Sequence, residues 1–486
     1  MAIRGQIKDI GKNTAVYGLG NLLSKFAAFL LIPLYTRYLT TSEVGIFALL
    51  EMLEKFLITV APLGVLRAIW RFFPENKNEG QSQLIISGFI WTILINFVLL
   101  SILALNYKGL TPWFGLNTDN QQLIILVLLN IFLTLGGQFM LSLWQYQNKA
   151  FSFILLSLVQ FVGILVLSIL LVGYYNLGLW GLIAAKTIVL GVIFVFCSYV
   201  IVTKYWAFPS VQVYRNLLAY GVPLVLLALV TPVLSVASRI FLRHFVSLEE
   251  IGIYHIGYKF GMLINMFLVV PLQRGWMPMM YKMGLAEATK KIYPDVMFYY
   301  TVIGSFFFIS LSLFIEPILN FVAQPAYLSG AYLVPIVAFA YFISGYRQFF
   351  TAGAALRDKT PRLALAAAGA ISSNLVLNYF LIKYFSITGA AWSTLISYFI
   401  LCTIVYFSSR NLAGIDWNFN RILKVIILTV LIFYSIFSLK ELYPANAILL
   451  SFFGTIIFVS LLFILRIIGD REIKGLQSLI RQFRKI

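Results

Sequence analysis

The stretch NLLSKFAAFLLIPLYTRYLTTSEVGIFALLEMLEK (residues 21–55) decides the fold. Two apolar runs lie on either side of a short polar segment, TRYLTTSEVG (Thr36–Gly45). Each run is long enough as a helix to cross a bilayer core of about 30 Å, which takes about 20 residues. The stretch therefore predicts two membrane-spanning helices joined by a short turn, which we expect on the outer face of the membrane.

Both apolar runs contain charged residues at a depth where charges are rare. Lys25 lies near the middle of the first run, and Glu51, Glu54 and Lys55 lie in the second. A charged side chain in the hydrocarbon region is costly, and it usually faces a protein interior or a wet cavity. We therefore expect a bundle of helices around a charged interior.

The composition places the whole chain in a membrane. Of its 486 residues, 61% are hydrophobic and 11% are charged, whereas a soluble domain has about 25% charged residues. The net charge of +19 is spread over short loops instead of forming runs, so we expect contact with membrane lipids and no nucleic-acid binding. Cys197 and Cys402 lie inside apolar spans, which indicates no disulfide framework and no metal or other cofactor.

The hydropathy pattern predicts an all-α integral membrane protein with about fourteen transmembrane helices. The predicted spans are 14–36, 42–66, 84–105, 121–143, 152–173, 178–203, 216–238, 250–272, 296–316, 330–351, 362–383, 388–409, 422–440 and 446–466. The remaining connections are too short for a folded domain outside the membrane. The stretch at 469–486 is basic and predicts an amphipathic tail on the membrane surface.

The basic residues predict the orientation of these spans. With the first residue inside, 25 of the 36 Lys and Arg residues fall in cytoplasmic segments, six fall outside and five fall within spans. Cytoplasmic loops of membrane proteins carry an excess of Lys and Arg. We therefore predict a multi-pass protein with both termini in the cytoplasm, and we read the first residues as a retained cytoplasmic end.

The chain contains an internal repeat. EVGIF (Glu43–Phe47) matches EIGIY (Glu250–Tyr254) at an offset of 207 residues, and Gly181 matches Gly389 at an offset of 208. Because the repeated unit has six spans, an even number, both copies have the same orientation. They would be related by a pseudo-two-fold axis along the membrane normal.

This repeat predicts three parts of the chain. Residues 1–205 form a six-helix lobe, residues 206–410 form a second six-helix lobe, and residues 411–486 add two helices and the basic tail.

Four segments resemble a known family of membrane proteins. They are Asn13–Leu50, Leu177–Ile188, Leu356–Leu365 and Ser386–Ser397. With the rest of the chain, they are similar to the Wzx-like polysaccharide flippases of the multidrug/oligosaccharidyl-lipid/polysaccharide (MOP) exporter superfamily. The motifs are loose patterns without a catalytic signature, so they indicate the family better than the substrate.

The resemblance implies a fold and an activity. Proteins of this family have two lobes around a central cavity and transport their cargo by alternating access. The cargo that the resemblance implies is an oligosaccharide on an undecaprenyl pyrophosphate carrier. It is moved from the cytoplasmic to the outer leaflet of the bacterial cytoplasmic membrane. Other polysaccharide-assembly proteins would be its partners.

Several cations at span depth are candidates for binding the pyrophosphate headgroup of such a cargo. They are Lys25, Lys186, Arg239, Lys259 and Arg347. A pyrophosphate would compensate their charge through charge-assisted hydrogen bonds. For Arg239, and for Arg243 one turn later, a second interpretation is that the side chain extends to the outer lipid headgroups.

Glu51 and Glu54 are the carboxylates deep in the first lobe. Lys55 follows Glu51 by four residues, so an intrahelical pair is expected. Both carboxylates are candidates for binding a coupling ion, H⁺ or Na⁺, and Glu54 is the one that such a pair would leave over. A second interpretation is that Glu54 also forms an ion pair with a basic residue.

Prolines predict where a helix bends. Pro223 and Pro232 bracket the middle of the seventh span. A proline inside a helix removes one hydrogen bond and favours a kink. We expect this span to be the hinge of the molecule.

Several other functions fit a bundle of this kind. A lipid II flippase also carries a pyrophosphate, and a multidrug or cation antiporter belongs to the same superfamily. We expect a cationic cavity to repel organic cations. A glycosyltransferase, polymerase or ligase on the same carrier would need a catalytic constellation, and we find no Asp pair and no Gly-rich phosphate loop. The expected protein is therefore a transporter and not an enzyme.

Overall fold

The computed structural model describes residues 29–73, 79–116, 120–147, 149–285, 287–290, 292–357 and 359–469. Almost all of these residues are helical, and no strand occurs among them. The predicted all-α class is thereby confirmed. Lys25, the N-terminal segment and most of the predicted basic tail lie outside the described residues.

We number the main helices in chain order. They are α1 (Ile32–Tyr38), α2 (Thr41–Val60), α3 (Val65–Phe72), α4 (Glu79–Leu105), α5 (Leu123–Tyr146), α6 (Ala150–Ser168), α7 (Gly178–Lys204), α8 (Val211–Phe245), α9 (Leu248–Gly261), α10 (Val270–Met283), α11 (Ile292–Val322), α12 (Leu333–Phe350), α13 (Thr360–Ala413), α14 (Phe419–Leu442) and α15 (Ala447–Ile464). Short π-helical turns at Ile169–Tyr174 and Asn265–Val269 follow α6 and α9.

Within the described ranges, ten helices are long and apolar enough to cross a membrane. The predicted number of fourteen is not confirmed. The first predicted span lies mostly outside the described residues, and the helix α2 carries Glu43, Glu51, Glu54 and Lys55. The chain is a multi-pass membrane protein.

The long element α13 contains two of the predicted spans. A straight helix would separate Asn374 from Ser397 by about 34 Å at 1.5 Å per residue. Instead, the Asn374 side-chain amide donates to the Ser397 hydroxyl over 3.0 Å. The chain reverses at Ser386, where the backbone has a φ of 50°, so α13 is a helical hairpin.

Contacts divide the chain into two compact units. The first comprises Met1–Lys259, Val322–Gly330 and Ala367–Ser397; the second comprises Phe260–Phe321, Ala331–Ala366 and Tyr398–Ile486. The predicted boundaries at residues 205/206 and 410/411 concern the sequence repeat, and they stay a prediction.

In the first unit, the helices α2 and α9, which carry the matching segments EVGIF and EIGIY, pack against each other. A Cβ atom added to Gly45 would overlap the carbonyl oxygen of Leu248, and one added to Gly252 would overlap the carbonyl oxygen of Thr41. Only glycine permits helix backbones to approach this closely. The matching glycines of the repeat therefore form the contact between α2 and α9.

The helix starts also follow the repeat. Thr40 and Glu43 form a capping box at the start of α2, in which each side chain accepts from the other residue's backbone N–H. Ser247 and Glu250 exchange the same two hydrogen bonds, both 3.3 Å long, at the start of α9. Equivalent positions thus begin equivalent helices.

In the second unit, a proline in α11 leaves one backbone carbonyl without an intrahelical hydrogen bond, and two other helices donate to it. Pro317 lies inside α11 and has no N–H for the Leu313 carbonyl oxygen. That oxygen accepts from Lys440 Nζ of α14 over 2.9 Å and from Ser451 Oγ of α15 over 2.8 Å. Lys440 also pairs with Glu316 at 3.0 Å. These bonds fasten the last two helices to α11.

Candidate functional site

A cavity of about 380 Å³ lies inside the first unit. Residues of α1, α2, α5, α6, α7 and α9 line it, together with Leu31 just before α1. The lining residues are Leu31, Tyr35, Phe47, Leu50, Glu51, Glu54, Val127, Asn130, Leu141, Phe153, Ser157, Gln160, Phe161, Ile164, Leu182, Ile183, Lys186 and Lys259. Its volume lies within the usual range for small-molecule sites, about 300–1,000 Å³.

The Lys186 ammonium on α7 binds the Glu54 carboxylate on α2. The side chains are 32% and 11% exposed, respectively, and both line the cavity. The expectation that Glu54 is left over was therefore wrong. Its partner comes from another helix 132 residues away, and a spacing rule detects only neighbours on the same helix.

The Glu51 carboxylate lies among three groups that carry or can carry a positive charge. Lys55 Nζ is 3.3 Å away, His255 Nε2 is 3.7 Å away and Lys259 Nζ is 3.9 Å away. The expected intrahelical pair with Lys55 is present. His255 and Lys259 come from α9, one turn apart, so Glu51 joins α2 to α9.

Two aromatic rings complete the surroundings of Lys259. Its ammonium lies 5.2 Å from the ring centre of Tyr35 and 5.4 Å from that of Phe47. A cation over an aromatic face is attracted by the ring quadrupole. Lys259 is therefore held by two rings and one carboxylate.

Arg239 on α8 is buried, with 3% of its surface exposed. Its Nη2 atom lies 3.3 Å from His255 Nδ1, and its guanidinium carbon lies 5.4 Å from the ring centre of Tyr258. The interpretation that Arg239 extends to the lipid headgroups is wrong, because its side chain is enclosed by α9. Arg243 donates to the Pro112 carbonyl over 3.2 Å, and its interpretation as a headgroup contact stays a prediction.

This contact assigns the tautomer of His255. Arginine has donors and no acceptor, so His255 Nδ1 accepts and the ring proton is on Nε2. His255 Nε2 lies 3.7 Å from Glu51 Oε2, which is beyond hydrogen-bond distance. The His255 ring thus lies between Arg239 and the Glu51 carboxylate at the cavity.

The remaining predicted site residues do not line this cavity among the described residues. Arg347 is in the last turn of α12 in the second unit, and Lys25 is not among the described residues. Pro223 and Pro232 lie inside α8, which is helical throughout from Val211 to Phe245. Their role as a hinge stays a prediction.

Sequence reasoning missed the neutral part of the cavity. The missed residues include Tyr35, Phe47, Asn130, Ser157 and Gln160. A signal existed for two of them, since Ser157 and Gln160 are polar residues three positions apart within the apolar run of α6. The rings of Tyr35 and Phe47 look like ordinary span residues in the sequence.

The charges of the described cavity lining balance. Two carboxylates, Glu51 and Glu54, face two ammonium groups, Lys186 and Lys259. We expected a cationic cavity, and among the described residues its lining is instead ion-paired. The argument that the cavity repels organic cations therefore no longer holds.

Comparison with known proteins adds the family. The model of a family described as polysaccharide biosynthesis protein matches residues 10–284. An uncharacterised membrane protein of Methanocaldococcus jannaschii is 23% identical over 96% of this chain and 98% of its own length.

Two solved structures are similar in fold. One is the lipid II flippase MurJ in an inward closed conformation, with a TM-score of 0.76, 15% identity, and coverage of 92% of this chain and 99% of that one. The other is an inward-facing multidrug resistance MATE family transporter of the MOP superfamily, with a TM-score of 0.61, 13% identity, and coverage of 81% and 94%. The chain belongs to the polysaccharide biosynthesis protein family and has the fold of the MOP-superfamily flippases and transporters.

Proposed function

We propose that this protein is a flippase for an oligosaccharide linked to undecaprenyl pyrophosphate. It moves this lipid from the cytoplasmic to the outer leaflet of the bacterial cytoplasmic membrane by alternating access, with both termini in the cytoplasm. It acts as a transporter and not as an enzyme, and it receives its cargo from other polysaccharide-assembly proteins.

The observation that carries this proposal is the Lys186 ammonium in the cavity. Its side chain is 32% exposed and is held by one carboxylate, so it can reach a ligand. A lysine ammonium is a compact charge with three donors, and its hydrogen bonds to phosphate oxygens are charge-assisted. Lys259 of α9, which lines the same cavity, supplies a second ammonium.

The neutral lining supports a sugar beside the pyrophosphate. Asn130 and Gln160 supply amide groups, and Phe153 and Phe161 supply apolar ring faces. Such pockets combine mostly apolar walls with a few polar groups that fix the orientation of the ligand. In this proposal Arg239 acts through His255 and Glu51, while Lys25 and Arg347 contact the headgroup at other stages of transport.

The carboxylates Glu51 and Glu54 supply the coupling to an ion, H⁺ or Na⁺. An ionised carboxylate that reaches a cavity binds a cation when its ammonium partner leaves.

The test is complementation in the native host. Deletion of the gene is expected to abolish the surface polysaccharide and to accumulate lipid-linked oligosaccharide, and the wild-type gene is expected to restore export. Lys186→Gln and Lys259→Gln are expected to restore little, whereas Lys108→Gln, at an exposed lysine outside the cavity, serves as the matched control. Full export by both cavity variants would contradict the proposed binding role.

Two other cargoes fit the same fold. The balanced cavity charges favour a multidrug or cation antiporter as the second candidate, because Glu51 and Glu54 supply two acceptors for a cationic ligand. The pyrophosphate of lipid II would engage the same lysines. Increased drug sensitivity of the deletion strain with normal surface polysaccharide would identify the antiporter, and arrested peptidoglycan synthesis would identify lipid II.

A further inference from the structure

A non-helical segment at the end of α7 presents aromatic side chains beside two adjacent lysines. The segment is YWAFPS (Tyr205–Ser210), which connects α7 to α8. We infer that this segment, with Lys149 and Lys204, binds the phosphate headgroup of an anionic phospholipid. This inference goes beyond the proposed function, since it concerns the surrounding bilayer and not the cargo. The orientation proposed above would place the lipid in the cytoplasmic leaflet.

The two lysines lie at the ends of three spans. Lys149 is between α5 and α6, and Lys204 is the last residue of α7. Their side chains are in hydrogen-bond contact, and this closeness lowers the pKa of Lys149. Both are exposed, and the described part of the chain offers neither of them an ion pair. Two like charges in contact repel each other, and an anion that bridges them removes this repulsion.

The backbone holds the two lysines together. The Gln147 side-chain amide donates to the Tyr205 hydroxyl over 2.6 Å, which joins the turn after α5 to the end of α7. Lys204 Nζ lies 5.5 Å from the ring centre of Tyr205, and the Lys149 backbone N–H donates to the Trp144 carbonyl over 2.8 Å. The pairing of the two charges is therefore part of the fold.

The side chains that follow Lys204 alternate between the core and the surface. Tyr205 and Ala207 pack against the hydrophobic core of the first unit. Trp206 and Phe208 are instead 62% and 83% exposed. The segment thus places two aromatic rings on its outer side, directly after the lysine.

Hydrogen bonds to α4 fix this segment. The Ser210 backbone N–H donates to Ser87 Oγ over 2.8 Å, and the Ser87 side chain is buried. The Gln83 side-chain amide donates to the Phe208 carbonyl over 3.5 Å. Because its backbone is held at both points, the segment presents its aromatic rings in a defined place.

The combination of charge and rings favours a lipid over a soluble anion. The helices α5, α6 and α7 are all long and apolar enough to span a membrane, so their shared end lies at the membrane surface. Tryptophan and other aromatic residues are enriched at headgroup depth, and basic residues there attract anionic lipids. A soluble phosphate would neutralise the lysines but would leave Trp206 and Phe208 uncovered.

The second copy of the repeat lacks this pair of lysines. Arg357 matches Lys149 at an offset of 208 residues, but Leu412 stands at the position that matches Lys204. Trp417, in the connection after α13, is buried with 4% of its surface exposed. The lysine pair with exposed rings is therefore a feature of the first copy, and the repeat does not require it.

The test measures quenching of Trp206 by brominated lipids around the full-length protein in phosphatidylcholine vesicles. The difference between the wild type and Trp206→Phe gives the part of the fluorescence that belongs to Trp206. Brominated phosphatidylglycerol is expected to occupy the site in preference to brominated phosphatidylcholine by about 5-fold for each lysine. High salt is expected to reduce this preference, because it screens exposed charges.

Lysine variants identify the source of the preference, each compared with and without Trp206→Phe. Lys149→Gln and Lys204→Gln are each expected to lower it about 5-fold, and the double variant is expected to abolish it. Lys383→Gln is the matched control. Lys383 is also exposed and lies 5.8 Å from the ring centre of the exposed Tyr384, but it is not part of the lysine pair, so the preference is expected to persist.

Three results would overturn the inference. Equal quenching of Trp206 by the two brominated lipids in the wild type would show that the site does not select anionic lipid. An unchanged preference in the double lysine variant would show that the lysine pair is not its cause. Displacement of brominated phosphatidylglycerol by an equimolar amount of farnesyl pyrophosphate would assign the pair to a pyrophosphate cargo instead. Export by the cavity variants of Lys186 and Lys259 tests a different site, so the proposed function and this inference fail separately.

Discussion

Gly45 of α2 and Gly252 of α9 pack backbone against backbone, although 207 residues separate them in the chain. They occupy matching positions of the internal repeat, and a Cβ atom on either one would overlap a carbonyl oxygen of the other helix. Six and seven residues after this contact, α2 and α9 contribute Glu51 and Lys259 to the charged cavity. The close approach of the two helices therefore sets the separation of these charges.

Gly45→Ala and Gly252→Ala are each expected to destabilise the protein by about 1–3 kcal/mol, because a methyl group on either helix must push backbone atoms apart. The measurement is thermal unfolding in detergent, followed by intrinsic tryptophan fluorescence. Gly275→Ala in α10 is the control, since its Cβ atom would meet nothing within 4 Å. If all three variants unfold at the same temperature, the backbones of α2 and α9 leave room for a methyl group at Gly45 and Gly252.

Ser451→Ala is expected to cost about 1 kcal/mol, because it removes one hydrogen bond from the Leu313 carbonyl freed by Pro317. In a Pro317→Ala background the new N–H can bond that carbonyl within α11, so the same serine change is expected to cost less. A double-mutant cycle on unfolding free energies measures the difference. Equal costs in both backgrounds would mean that the freed carbonyl is not what holds α15.

The His255 ring is expected to carry its proton on Nε2 and none on Nδ1, because Arg239 Nη2 has only hydrogens to offer to Nδ1. Nitrogen-15 NMR of histidine-labelled protein separates the two ring nitrogens. The exposed His244, the second of the two histidines, reports the behaviour of an unconstrained ring. Arg239→Met is expected to let both tautomers of His255 form. A protonated Nδ1 in the wild type would contradict the assignment.

Exchanging the charges of the cavity pair separates stability from transport. Glu54→Lys and Lys186→Glu are each expected to lower stability by about 1–3 kcal/mol, because each leaves two like charges together near a partly buried position. The double variant restores an ion pair and is expected to recover most of that loss, measured by thermal unfolding. Export of polysaccharide is expected to stay low, since the ammonium has moved from α7 to α2; normal export by the double variant would show that the position of the lysine is unimportant.

Much of the fold follows from local patterns. The hydropathy runs place most helices within a few residues of their bounds, because backbone hydrogen bonds inside a bilayer must be satisfied within the helix itself. The repeated pattern E-x-G-I also indicates the helix starts, since Glu43 and Glu250 complete capping boxes with residues three positions earlier. Features that depend on neighbours along the chain were thus predictable.

The sequence by itself determined that this is a membrane protein, that the segment EVGIF (Glu43–Phe47) recurs as EIGIY (Glu250–Tyr254), and that several charges lie within apolar spans. Only the tertiary structure decided the partners of those charges: Lys186 for Glu54, Lys259 and His255 for Glu51, and Arg239 for His255. These pairs join helices that are far apart in sequence. Periodicity reports which residues share a face of one helix, whereas the helix that covers that face depends on packing between helices, which no local pattern encodes.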